Sequence, residues 1–161
     1  MYTLFQSWIS DSIGRWGPSS SQFFGVQIKH SNRYFDIYFA NTAPGAKLIQ
    51  WGTNCSTTSR QYKFILRSSN SYSITARHSG LVLEMNNYST IEGEQVQQWG
   101  YNGGSNQLWR MQGVGNNYFM LINLYSGMAM DVIGGPMGDD MPIGQYRIKA
   151  GDNQRFKLVS V

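Results

Sequence analysis

The 161-residue sequence predicts an all-β fold in which three similar repeats close about a common axis, and three observations carry that prediction. Charged residues make up only 14% of the chain while aromatics match them at 14%, and there are 18 glycines. That mixture suits short strands joined by tight turns, with rings filling pleated surfaces, and lacks the Glu, Lys and Ala that long helices need. Apolar and polar residues alternate in short runs, as at Val26 and Ile28, Tyr72 and Ile74, Phe119 and Leu121. Such period-2 runs, broken by Asn-Gly, Gly-Gly and Pro-Gly, read as strands and turns. The third observation is internal repetition.

Ser31, Ser79 and Ser126 lie 48 and 47 residues apart, and each is followed five positions later by a carboxylate: Asp36, Glu84, Asp131. An aromatic follows each carboxylate by 15 residues, at Trp51, Trp99 and Tyr146, always preceded by glutamine (Gln50, Gln98, Gln145). Asn106-Gln107-Leu108-Trp109 and Asn153-Gln154-Arg155-Phe156 close the second and third repeats ten residues further on. The first repeat closes on Phe64, thirteen after Trp51, which implies three extra residues around 54–60 and no clear Asn. A unit of about 47 residues with four short strands cannot bury its apolar face alone, so three copies must share one core. Closure also removes exposed strand edges, and a six-stranded barrel capped by three hairpins is the simplest packing.

The expected domain spans residues 20–161, with repeats at about 20–68, 69–115 and 116–161. Residues 1–19 form an extension in which Leu4, Phe5, Trp8, Ile9, Ile13 and Trp16 fall at helical spacing, giving an amphipathic turn or two before Gly17-Pro18. The extension is expected to dock on the barrel rather than on a membrane, since Arg15 is its one basic residue.

Composition excludes several classes of function. Net charge is +4, but the 13 basic residues are scattered singly, so no phosphate track and no nucleic-acid partner is expected. One cysteine, Cys55, rules out an internal disulfide and a multi-Cys metal site. No window approaches the roughly 18 apolar residues of a transmembrane segment. His30 and His78 both stand just before the repeat serine, with Tyr125 in the third copy, and read as duplicated scaffold rather than half of a hydrolytic triad. Asp139-Asp140 and the Glu92/Glu94 pair read as solvated turns rather than glycosidase carboxylates. No enzyme activity, metal or cofactor is expected.

The stretch from Val96-Gln97-Gln98-Trp99 through Asn106-Gln107-Leu108-Trp109 resembles the Gln-x-Trp motif of ricin-B-type lectin domains. The resemblance runs over roughly residues 21–161, with repeat two the cleanest copy and repeat one the most divergent. It implies a β-trefoil with up to three sugar pockets, each built from a carboxylate, an aromatic and an Asn. The chemistry is apt: a carboxylate accepts charge-assisted hydrogen bonds from adjacent hydroxyls, a ring covers the C–H face of the sugar, and an amide discriminates epimers. Carried over, the candidates are Asp36 with Trp51; Glu84 with Gln97, Trp99 and Asn106; and Asp131 with Tyr146 and Asn153. The family's additional glutamine, two before the aromatic, is retained only as Gln97; Ile49 and Gly144 replace it elsewhere. Repeat three, with Asp, Tyr and Asn all in place, ranks first, then repeat two, then repeat one. Gln107 and Gln154 are expected to support the fold.

The resemblance therefore implies a non-catalytic lectin for galactose or N-acetylgalactosamine-type glycans, acting outside the cell without a visible leader, with the cytoplasm as the alternative. A partner toxin or enzyme subunit is compatible with it. The competing expectation is a protein-binding trefoil, such as a protease inhibitor or toxin-complex subunit, suggested by the insertion in repeat one and by the methionines between Met128 and Met141.

Overall fold

The computed structural model describes residues 8–10 and 16–161. Twelve strands form the repeats. Repeat one holds β3 (Phe24–Ile28), β4 (Tyr34–Ile37), β5 (Leu48–Trp51) and β6 (Tyr62–Ser68). Repeat two holds β7 (Ser71–Ala76), β8 (Val82–Glu84), β9 (Gln97–Trp99) and β10 (Trp109–Gly115). Repeat three holds β11 (Tyr118–Asn123), β12 (Ala129–Val132), β13 (Met141–Tyr146) and β14 (Phe156–Ser160). The first and last strands of each repeat pair in a ring, β3–β6–β7–β10–β11–β14 and back to β3. The ring is a closed six-stranded barrel, so no barrel strand keeps an open edge.

The middle strands of each repeat form three antiparallel hairpins, β4–β5, β8–β9 and β12–β13. Their ends meet one another through Pro142↔Ile49, Lys47↔Gln97 and Gln95↔Gly144, which makes the triangular cap of a β-trefoil. Strand alternation fixes what each hairpin presents. Phe35 and Ile37, Leu83 and Met85, and Met130 and Val132 point into one continuous core. Asp36, Glu84 and Asp131 therefore lie on the opposite face of their strands. Tyr62, Trp109 and Phe156 open the closing strands and are fully buried at the barrel centre.

These three rings correct the reading of repeat one. The turn Thr58–Arg60 precedes Tyr62 as Ser105–Gln107 precedes Trp109 and Asp152–Gln154 precedes Phe156. The closing aromatic is thus Tyr62, eleven residues after Trp51, and the insertion is one residue rather than three. Tyr-Lys-Phe alternation offered two aromatics of the right phase, Tyr62 and Phe64, both buried, and spacing alone did not separate them.

The glutamine before each aromatic is fully buried and joins one repeat to another. Gln98 accepts a hydrogen bond from Ser79 Oγ (2.9 Å) and donates to the carbonyls of Asn41 and Ala43 in repeat one (both 2.8 Å). Gln145 accepts from Ser126 and donates to Ser89 and Ile91 in repeat two. Gln50 accepts from Ser31 and donates to Pro136 and Gly138 in repeat three. The conserved phase of serine and glutamine is thus one clamp used cyclically. His30 and His78 reinforce it by contacting the same carbonyls, Pro136 and Asn41, through Nε2 at 2.9 Å, and Tyr125 packs edge-on to Tyr88 at the third clamp.

In the extension, β1 (Trp8–Ser10) and β2 (Trp16–Pro18) pair antiparallel, from Trp8↔Pro18 to Ser10↔Trp16. The described part is extended rather than helical as the spacing suggested; Trp and Ile favour strands, and Gly17-Pro18 ends any helix. Leu4, Phe5 and Ile13 lie outside the described residues. Gly17 is buried where a Cβ would collide with the Tyr72 hydroxyl, so this strand sits close against the barrel.

Among the described residues no helix is long and apolar enough to cross a membrane, and no three His, Cys, Asp or Glu side chains converge on a metal-sized site. Gln98→Leu removes the carboxamide while keeping its bulk and strands one hydroxyl and two carbonyls. With a buried unpartnered group costing about 1–3 kcal/mol, the variant is expected to lose about 2–4 kcal/mol in urea unfolding; a loss below about 1 kcal/mol would remove the clamp from the account.

Candidate functional site: three carboxylate pockets

In each repeat the carboxylate and the aromatic sit on adjacent strands of one hairpin. Asp131 pairs with Gly144 while Ala129 pairs with Tyr146, which places Asp131 and Tyr146 diagonally on the same face. Asp36↔Ile49 with Tyr34↔Trp51, and Glu84↔Gln97 with Val82↔Trp99, repeat the arrangement. The residue directly opposite the carboxylate is therefore the slot that reads Ile49, Gln97 and Gly144. Three environments follow from that one position.

In repeat three, Asp131 is only 4% exposed and each oxygen is held by an amide: Asn153 Nδ2 donates to Oδ1 at 2.9 Å and Gln154 Nε2 to Oδ2 at 2.7 Å. Asn153 also donates to the Val132 carbonyl, and Gln154 to that of Arg147, so both amides are fixed. A carboxylate oxygen accepts two hydrogen bonds, and each here keeps capacity for a second. The carboxylate lines a cavity of about 610 Å³ together with Tyr146, Asn153, Lys149 and His30. Gly144, directly opposite Asp131, packs against repeat two: a Cβ there would collide with the Glu94 carbonyl. The glycines that line the cavity are those of the turn after β12. Gly134 and Gly135, both at positive φ, fill the turn that Phe39-Ala40 and Asn87-Tyr88 make in the other repeats. Burial raises the pKa of Asp131 above the ordinary aspartate value; the Gln154 hydrogen bond, Lys149, the Asn153 hydrogen bond and His30 oppose it in that order. Lys149 Nζ stands 4.3 Å from the centre of the Tyr146 ring, and Arg147 lies at 5.5 Å.

In repeat two, Glu84 is equally buried but occupied by its own neighbours. Gln97 Nε2 donates to Oε1 at 2.9 Å, and Oε2 receives Gln107 at 2.9 Å and Asn106 at 3.4 Å. Lys47 Nζ in turn donates to Gln97 Oε1 at 3.1 Å. The extra methylene of Glu carries the carboxylate into reach of Gln97, so the residue that made this repeat look complete in sequence closes it. Trp99 remains substantially exposed.

In repeat one, sequence reasoning missed the main feature. With Tyr62 as the closing aromatic, Ser59 stands where the other repeats have Asn, and Arg60 where they have Gln. Arg60 Nε donates to Asp36 Oδ2 at 2.7 Å, an ion pair with both side chains mostly buried. Asp36 Oδ1 is buried without a partner. Asp36, Arg60 and Ser59 line a cavity of about 320 Å³ with Trp51, Tyr38 and Asp140.

Gln107 and Gln154 thus brace the carboxylates, and each also ties its loop: Gln107 Oε1 accepts from Asn102, and Gln154 Oε1 from Lys149 and Ala150. Two of the loop acids, Asp139 and Glu94, have structural partners. Asp139 pairs with Arg33 at 2.9 Å and accepts from the Gly52 amide, and Glu94 accepts from Ser89.

Comparison with known proteins bears on this geometry. A family model described as ricin-type beta-trefoil lectin domain-like matches residues 58–146 and 105–161. No curated protein sequence matches the chain. Among solved structures, a designed threefold-symmetric protein, ThreeFoil, superposes with a TM-score of 0.84 at 34% identity, covering 86% of this chain and 99% of that one. An exo-beta-1,3-galactanase from Clostridium thermocellum superposes with a TM-score of 0.84 at 25% identity over 92% of this chain, which spans only 32% of the galactanase. The C-half of the earthworm R-type lectin, solved with GalNAc, has a TM-score of 0.67 at 18% identity over 87% of this chain and 99% of that one, a likeness of fold. With its closed threefold barrel and its three carboxylate hairpins, the chain belongs to the ricin-type β-trefoil lectin-like family.

Proposed function

We propose that the chain is a non-catalytic glycan-binding module whose principal site is the repeat-three pocket and whose ligand is a galactose or N-acetylgalactosamine-type sugar. The observation that carries this reading is Asp131: a buried carboxylate, oriented by two amides, facing an open cavity beside an aromatic ring. Two adjacent sugar hydroxyls fit its remaining acceptor positions, Tyr146 offers a face to the sugar's C–H bonds, and Asn153 is already fixed as the third contact. Pre-orientation matters because a shallow site gains affinity mainly by not having to order its own groups. Asp36 and Trp51 make a second, chemically different pocket, and Glu84, Gln97, Trp99 and Asn106 a third whose carboxylate is self-satisfied. The galactose-type specificity rests on the family resemblance, and the galactanase and the GalNAc-bound earthworm lectin are in keeping with it.

A protein-binding role loses both features that suggested it. The insertion in repeat one is a single residue, and Met130 is a core side chain, so Met128 to Met141 is not a continuous adaptable surface. The galactanase, and a mosquitocidal holotoxin of which this chain matches 17%, are far longer than the domain they share, and a toxin or enzyme chain as partner is proposed on that ground.

Asp131→Asn keeps the shape and exchanges two acceptors for one acceptor and one donor. Retained glycan-array signal by the unmutated chain with loss of at least about tenfold in affinity for the variant is expected, equivalent to one charge-assisted hydrogen bond. An unmutated chain that binds nothing on a broad array overturns the proposal.

Binding requires the ionised carboxylate. Because the folded pKa is raised, calorimetric affinity is expected to begin falling on acidification at a pH above the ordinary aspartate range. The sign for folding is opposite: the native state binds this proton more tightly than the unfolded chain, so the cost of ionised Asp131 is relieved as pH falls through its folded pKa. Affinity that is flat until the ordinary aspartate range is reached would remove Asp131 from the contact.

A further inference from the structure

Repeat one departs from the other two in a way that points to a different ligand rather than a lost site. Asp36 Oδ1 is buried and unpartnered, although its sister oxygen is fixed by Arg60. A desolvated carboxylate oxygen without a donor is costly, and a ligand hydroxyl reaching it from the adjoining cavity recovers that cost. The cavity does not end at the hairpin. A second cavity of about 310 Å³, bounded by Lys47, Gln95 and Pro142, shares Tyr38, Ile49 and Asp140 with the first. Lys47, Gln95 and Pro142 are the equivalent residues of the three hairpins, so the joined cleft runs from the repeat-one carboxylate to the inner edge of the trefoil cap. Each half reaches the lower end of the usual range for small-molecule pockets.

We infer that repeat one is a two-unit site, taking a neutral disaccharide segment with one ring on Asp36, Arg60 and Trp51 and the next ring against Lys47 and Gln95. The inference rests on the glycan-binding reading above. Neutrality follows from the charges that face the cleft: Arg60 and Lys47 oppose Asp36 and Asp140, so neither an acidic nor an amino sugar gains net attraction. Ile49, which lines both halves, supplies the apolar step between them. Polar groups at both ends and an apolar middle match two rings joined by one glycosidic oxygen.

The test uses the full chain carrying Asp131→Asn, which silences repeat three, with the Trp51 indole N–H and the Gln95 side-chain amide as NMR reporters. Galactose, lactose and β-1,3-galactobiose are titrated separately. At least one disaccharide is expected to bind about tenfold or more tightly than galactose, moving both reporters, while galactose moves Trp51 alone. Adding Gln95→Ala, or Lys47→Ala as an independent variant, is expected to bring the disaccharide-to-galactose affinity ratio close to one. Equal affinity for all three sugars, or a ratio that survives both variants, overturns the two-unit site. If the chain without Asp131→Asn shows galactose shifts at Tyr146 and Asn153 in that same experiment, the glycan-binding reading stands and only this inference falls. Silence of both chains toward all three sugars brings down both.

Discussion

The interaction on which the remaining structure depends is the buried carboxamide clamp. Three hairpins meet at one end of the barrel through short ladders, isolated bridges and a few backbone hydrogen bonds at each junction. Gln50, Gln98 and Gln145 add a side-chain lock to these, each gripping two carbonyls of another repeat's loop while a serine of its own repeat fixes the carboxamide. The arrangement is cyclic: repeat one holds three, two holds one, and three holds two. Each clamp group is buried and partnered, so a slipped hairpin would leave several polar groups stranded at once. Threefold symmetry is in this sense a hydrogen-bonding constraint as much as a packing one.

Because the clamp sets the hairpins, it also sets the pockets. The glutamine points inward at its strand position, so the aromatic after it and the slot residue before it must point outward, beside the carboxylate of the neighbouring strand. A scaffold held this tightly is free to vary on its outer face. The three repeats show what that freedom produces: a Gly-Gly turn beside aspartate lines a cavity, glutamine opposite glutamate fills one, and isoleucine beside an Arg–Asp pair extends one sideways.

Much of this was legible in the sequence because symmetry amplified weak signals. Serine, carboxylate, glutamine and aromatic recur in phase, and their recurrence indicated three repeats closing one barrel with three hairpins, while the family resemblance supplied the trefoil and the grouping of carboxylate, aromatic and Asn. What symmetry could not show were the departures from it. The closing ring of repeat one was ambiguous between Tyr62 and Phe64, and choosing the second concealed that Arg60 stands in the glutamine position. A test of both phases against the Thr58–Arg60 turn would have found it. The closure of repeat two was hidden for another reason: Gln97 counted as a retained sugar contact, whereas its distance to Glu84 depends on one methylene of reach, which a motif does not measure. The extension misled because apolar residues at helical spacing were also compatible with two short strands.

The central claim is that the face between Asp131 and Tyr146 receives a sugar ring, and a crystal of the full chain soaked in galactose addresses it most directly. The account predicts density for one hexose lying over Tyr146, with two hydroxyl oxygens within hydrogen-bonding distance of the Asp131 carboxylate and one near Asn153. Galactose bound at some other surface, with the Asp131 cavity holding only solvent, would contradict it.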